Sequence, residues 1–136
     1  MKKTKILAFI LVIVLIAASV VTLYSCEKPD PNTLGKGKTT FKLEVIDDKG
    51  VTTTYTIKTD EKTVGAALLK LDLISGDETE YGLYVKTVTG ITADWDADQG
   101  WWGFYIGNDM AATGIDATDI TAGAVYKLKY EIGFGF

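Results

Sequence analysis

No histidine occurs anywhere in the 136 residues. That excludes Ser–His and Cys–His nucleophiles, imidazole-based zinc sites and a side-chain switch near neutral pH. Cysteine occurs once, at Cys26, so the chain can form no internal disulfide. Nothing after Cys26 can supply a thiolate nucleophile or a Cys-ligated metal. All 14 basic residues are lysine and none is arginine, which removes bidentate clamps on phosphate or carboxylate. The two prolines, Pro29 and Pro31, fall in one short stretch. The net charge is −4, and without Lys2, Lys3 and Lys5 it becomes −7. An acidic domain of this kind is expected to bind neither nucleic acid nor anionic lipid headgroups.

Those three lysines precede an apolar run from Ile6 to Ala18, prolonged by Val20 and Val21. A basic start, an apolar stretch and small residues before a cysteine describe a secretory signal. Leu23, Ser25 and Cys26 match the lipobox of bacterial lipoproteins, with Tyr24 bulkier than the pattern prefers. The expectation is a signal peptide over residues 1–25, lipidation at Cys26 and attachment to the cell membrane outside the cytoplasm. An uncleaved membrane anchor is the alternative, since the run approaches the ~18–20 apolar residues that cross a bilayer. Residues 26–39 are polar, with two spaced glycines, and are read as a flexible tether. Residues 40–136 then form one small domain with one core.

Along that domain, Phe41, Leu43 and Val45 alternate with Lys42 and Glu44, and Val51, Thr53, Tyr55 and Ile57 alternate with threonines. With Asp47–Gly50 between them, the two runs predict a hairpin. Val64, Ala67, Leu68 and Leu71 fall on one helical stripe, so a helix of about three turns follows. Asp60 is its expected N-cap and Gly76 its expected end. Asp77, Glu78 and Glu80 read as an exposed acidic turn, and Tyr81, Leu83 and Val85 as a strand with Tyr84 on its other face. Tyr126, Leu128, Tyr130 and Ile132 alternate as a last strand. The order ββαβββ, with the first and last strands parallel at the sheet centre, predicts an α+β domain of β-grasp type.

The aromatic residues concentrate between Gly100 and Asp109. Alternation puts Trp102, Phe104 and Ile106 on one face of a strand and Trp101, Gly103 and Tyr105 on the other. One face must be core. The second offers an indole and a phenol beside a glycine, where a flat ligand can come close. The ligand-binding residues expected from this alternation are Trp101, Gly103 and Tyr105.

Catalytic chemistry finds little support, and no catalytic residue is assigned. Asp94, Asp96 and Asp98 alternate as in a calcium loop, but Gln99 and Tyr105 stand where the EF-hand needs glycine and glutamate. No metal site is expected there, and no enzyme.

Gly90-Ile91, Trp102 to Asn108, Gly114-Ile115 and Ile120 to Tyr126 together resemble the C-terminal domain of the transcobalamin and intrinsic-factor family, especially its bacterial lipoprotein relatives. The resemblance covers residues 39–132. It implies a β-grasp domain that binds cobalamin or another corrinoid, partly through the strand Trp102 to Ile106 and the turn at Asn108. Only through this resemblance do Trp102 and Asn108 join the expected ligand-binding residues. Two features depart from the family: the large helical domain is missing, and Thr118 stands where a tyrosine is usual. A transporter or a second binding chain would have to complete the pocket. Any corrinoid must be held without an imidazole to its cobalt, through shape, amide hydrogen bonds and aromatic contact. The alternative reading is a surface module whose exposed rings meet a protein or glycan.

Overall fold

A computed structural model of the protein describes residues 30–134. The signal peptide and the lipidation expected at Cys26 lie outside these residues. Among those described, no helix is long and apolar enough to cross a membrane.

Among the described residues, nine strands and two short helices give an α+β fold dominated by strand. The strands are β1 (Thr33–Gly35), β2 (Thr39–Ile46), β3 (Thr52–Thr59), β4 (Ile74–Thr79), β5 (Gly82–Val88), β6 (Ile91–Thr92), β7 (Gly100–Ile106), β8 (Asp109–Met110) and β9 (Val125–Ile132). The helices are α1 (Val64–Lys70) and α2 (Trp95–Asp98), and a single 3₁₀ turn covers Ile115–Ala117. Six strands form one sheet in the order β1-β3-β2-β9-β7-β8, and β4-β5-β6 form a second.

Alternation decides which face of the larger sheet is dry. Phe41, Leu43, Val45, Ile57, Tyr126, Leu128 and Trp102 are buried, and Phe104 and Tyr130 pack against them. Val64, Ala67 and Leu68 of α1 and Val85 and Val88 of β5 belong to the same apolar cluster. Within it, Phe41 meets Tyr126 edge-on at 5.5 Å, and Phe104 stacks on Tyr126 at 6.1 Å. The two halves of the chain are joined where β2 and β9 pair in parallel, with Leu43 opposite Tyr126 and Val45 opposite Leu128.

Several expectations give way to local chemistry. Asp60 does not cap α1, because its carboxylate accepts the Lys38 backbone N–H at 2.9 Å. Thr63 is the cap, accepting the N–H of Ala66. The helix ends at Lys70 after two turns, since Asp72 takes φ +55 and carries the chain off the axis. Gly76 is not its end but lies at an irregular step in β4, where a Cβ would stand 1.9 Å from the Tyr84 carbonyl oxygen. The acidic segment is half of a hairpin: Asp77 and Glu78 pair with Tyr84 and Leu83. Part of the segment expected as tether is in the sheet, with Thr33–Gly35 parallel to β3.

Candidate functional site

Strand β7 follows the expected alternation, but its two faces differ from a simple core and an open surface. Trp102 is 6% exposed, meets Tyr130 edge-on at 5.3 Å and donates its indole N–H to the Ile91 carbonyl at 3.2 Å. Trp102 therefore belongs to the core rather than to a surface. On the other face, Gly103 is buried beneath its own neighbours. A Cβ there would meet Tyr105 Cε2 at 3.0 Å and Trp101 Cζ3 at 3.3 Å. The space expected to admit a flat ligand is filled by those two rings.

The polar tips of this face are also partnered. Tyr105 donates its hydroxyl to Glu131 Oε1 at 2.6 Å. That bond, with burial and the carboxylate charge, pushes the phenol up to about 12. Lys129 stands 3.6 Å from the same carboxylate. Lys127 donates to Asn108 Oδ1 at 3.2 Å and lies 3.9 Å from Glu44, so Asn108 ties the β7–β8 turn to β9. Trp101 donates its indole N–H to the Gly133 carbonyl at 2.8 Å. Of the five expected binding residues, Trp101, Gly103, Tyr105 and Asn108 share this face, and Trp102 does not.

Trp101 leads elsewhere. Its ring lies 5.7 Å from Phe134, which lies 5.0 Å from Trp95, so three rings run in a row across the surface. Trp95 is carried by α2, whose N-cap Asp94 accepts the N–H groups of Asp96 and Ala97. The row is anchored where Gly133 N–H meets the Gln99 carbonyl at 2.9 Å.

At the Trp95 end of the row opens a cavity of about 390 Å³, lined by Tyr84, Lys86, Thr92, Ala93, Asp94, Trp95 and Asp96. This falls within the size range of small-molecule sites. Tyr84 is 47% exposed and Trp95 38%, so both rings offer surface to a ligand. The floor is held by the Ala93 N–H to Lys86 carbonyl bond and the Thr87–Thr92 hydroxyl pair. Lys86 pairs with Asp77 at 2.6 Å; that hydrogen bond, with the Asp77 charge, raises its ammonium above the usual lysine value. A second cavity, about 470 Å³, lies at the β4–β5 turn from Thr79 to Tyr84.

Strand alternation puts Tyr84 on the outer face of its strand, but nothing in the sequence assigns it or Trp95 to a site. The available signal was local: Asp94 is a good cap, and a capped turn holds the intervening Trp95 in a fixed place. Nothing local announces Phe134.

A scan against protein-family models finds no match, and a search of curated proteins finds no similar sequence. Solved structures are informative. A candidate metal-binding protein from Ruminococcus gnavus, whose crystal structure extends to 1.30 Å, is 30% identical, with a TM-score of 0.68. The match covers 71% of this chain and all of that one. The chain belongs to that protein's family. Haptocorrin, solved in complex with cobinamide, shares the fold at 15% identity and a TM-score of 0.56. That match covers 74% of this chain but only 27% of haptocorrin.

Among the described residues, no group of three or more Asp, Glu, His or Cys side chains could hold an ion. Asp94 caps α2, whereas Asp98 turns away to accept from Gly100 N–H and Tyr130 hydroxyl.

Proposed function

We propose that this chain is an exported, lipid-anchored module of β-grasp type that binds a corrinoid through the cavity between Tyr84 and Trp95. The observation that carries the reading is that cavity, whose wall shares Trp95 with the ring row Trp95–Phe134–Trp101. The fold shared with a protein crystallised with cobinamide supplies the ligand class. A flat macrocycle gains most from aromatic surface on one side and short polar groups at its rim. Tyr84 and Trp95 provide the first, and Thr92, Asp94 and Asp96 the second. Trp101 forms the far end of the site, while Gly103, Tyr105 and Asn108 shape the sheet that supports it.

The role is binding rather than catalysis, with the ligand's outer face covered by a second chain such as an importer. Lys2, Lys3, Lys5 and the Leu23-to-Cys26 pattern support export and lipidation at Cys26. The test is titration of the full-chain protein with cobinamide, following Trp fluorescence and, separately, equilibrium dialysis. Saturable binding that Trp95→Ala weakens by roughly 1–3 kcal/mol, the cost of losing an aromatic anchor, is expected. Binding that Trp95→Ala leaves unchanged would refute this site.

A surface-interaction role has one observation in its favour. Tyr81 projects from the β4–β5 turn with 89% of its surface exposed, as an unpaired interface anchor would. If no corrinoid binds, this hairpin tip becomes the leading surface.

A further inference from the structure

We infer that the Tyr84–Trp95 cavity acts as a charge filter, admitting corrinoids without a phosphate group and disfavouring those that carry one. The inference rests on the corrinoid reading and deepens it. Cobinamide presents a ring bearing neutral amide arms, whereas cobalamin adds a nucleotide loop with an anionic phosphodiester. The two ligands therefore differ in the property that the cavity's side chains read.

Among the described residues, Lys86 is the one cation on the cavity wall, and its ammonium is held 2.6 Å from Asp77 Oδ2. Its charge is already matched. Asp94, whose charge also acts on Lys86, and Asp96 lie on the same wall, and no second cation is described there. Asp94 accepts two backbone N–H groups, which orient its carboxylate without cancelling its charge. The wall and its Asp77 partner thus carry three carboxylates against one ammonium. No arginine exists in the chain to bind phosphate bidentately. Amide N–H donors on a ligand suit carboxylate acceptors. A phosphate must either break the Lys86–Asp77 pair or lie against like charges, which disfavours the wrong partner strongly.

The experiment compares cobinamide and cobalamin on the full-chain protein at low and high salt, with Asp77→Asn and Asp96→Asn as variants. At low salt cobinamide should bind more tightly by about tenfold or more, as repulsion of a like-charged group predicts. High salt should shrink that ratio, because the cavity is open to screening ions. Asp77→Asn should release Lys86 and improve cobalamin binding several-fold while leaving cobinamide unchanged. Asp96→Asn should narrow the ratio in the same direction, and gives an independent reading should the first variant disturb the hairpin. Equal affinities, or tighter cobalamin binding, overturn the filter while the corrinoid reading stands. A preference insensitive to salt and to both variants is steric and also overturns it. If neither ligand binds, the corrinoid reading fails and the filter with it.

Discussion

Tyr105 on β7 and Tyr84 on β5 both sit on the outward side of a strand, yet the protein treats them differently. Tyr105 ends on Glu131 and lays its ring over Gly103, so its face is complete without a ligand. Tyr84 leaves nearly half its surface exposed and forms one wall of a cavity. Strand alternation says which way a side chain points. Whether neighbouring side chains already occupy that space depends on cross-strand partners and on loops distant in sequence. For β7 those partners come from β9 and its continuation through Gly133, about 30 residues away.

The contrast can be broken most severely at Trp102. Replacing it by alanine should cost about 3–5 kcal/mol in urea unfolding, as buried aromatic truncations do. A loss similar to that of a surface change would mean the β7 faces are reversed. Gly103→Val should cost less, roughly 1–3 kcal/mol, because Trp101 and Tyr105 must be displaced to admit the new side chain. A neutral result would show that the rings do not fill that space. Tyr105→Phe is the mildest, at about 1 kcal/mol for one lost hydrogen bond at neutral pH.

That last variant also has a pH signature. Tyr105 is raised from the ordinary value of 10.0 to about 12 in the folded state. As pH rises from 10 towards 12, the unfolded phenol ionises while the folded one keeps its proton. The unfolded state then binds fewer protons, so stability falls with pH. The contribution is whole below pH 10 and lost by about 12. Wild type should therefore lose stability faster than Tyr105→Phe across this window in parallel unfolding titrations, and parallel slopes would remove the Glu131 bond from the account.

Much of the sheet was legible because half its side chains are dry. Alternation located β2, β3, β7 and β9, and the order of elements gave the parallel β2–β9 pairing. It could not reveal β4, where every residue after Ile74 is exposed and no period survives. β1 is a three-residue edge strand with no pattern to read. The helical stripe overran its helix because Leu71 keeps the spacing while Asp72 turns the backbone away. The cavity escaped for a similar reason. Its walls come from β5, β6 and α2, and only tertiary packing brings Tyr84 and Trp95 to one opening.

The decisive measurement compares these two tyrosines directly. Tyr84→Ala and Tyr105→Ala are titrated with cobinamide by equilibrium dialysis, each at a temperature well below its own melting point. The account predicts that Tyr84→Ala weakens binding by roughly 1–3 kcal/mol, as loss of an interface aromatic does. Tyr84→Ala should also keep its stability within about 0.5 kcal/mol, as exposed substitutions usually do. Tyr105→Ala should lose stability and bind as wild type does. Reversed results, with Tyr105→Ala abolishing binding and Tyr84→Ala leaving it intact, would return the site to the outer face of β7 and contradict the account.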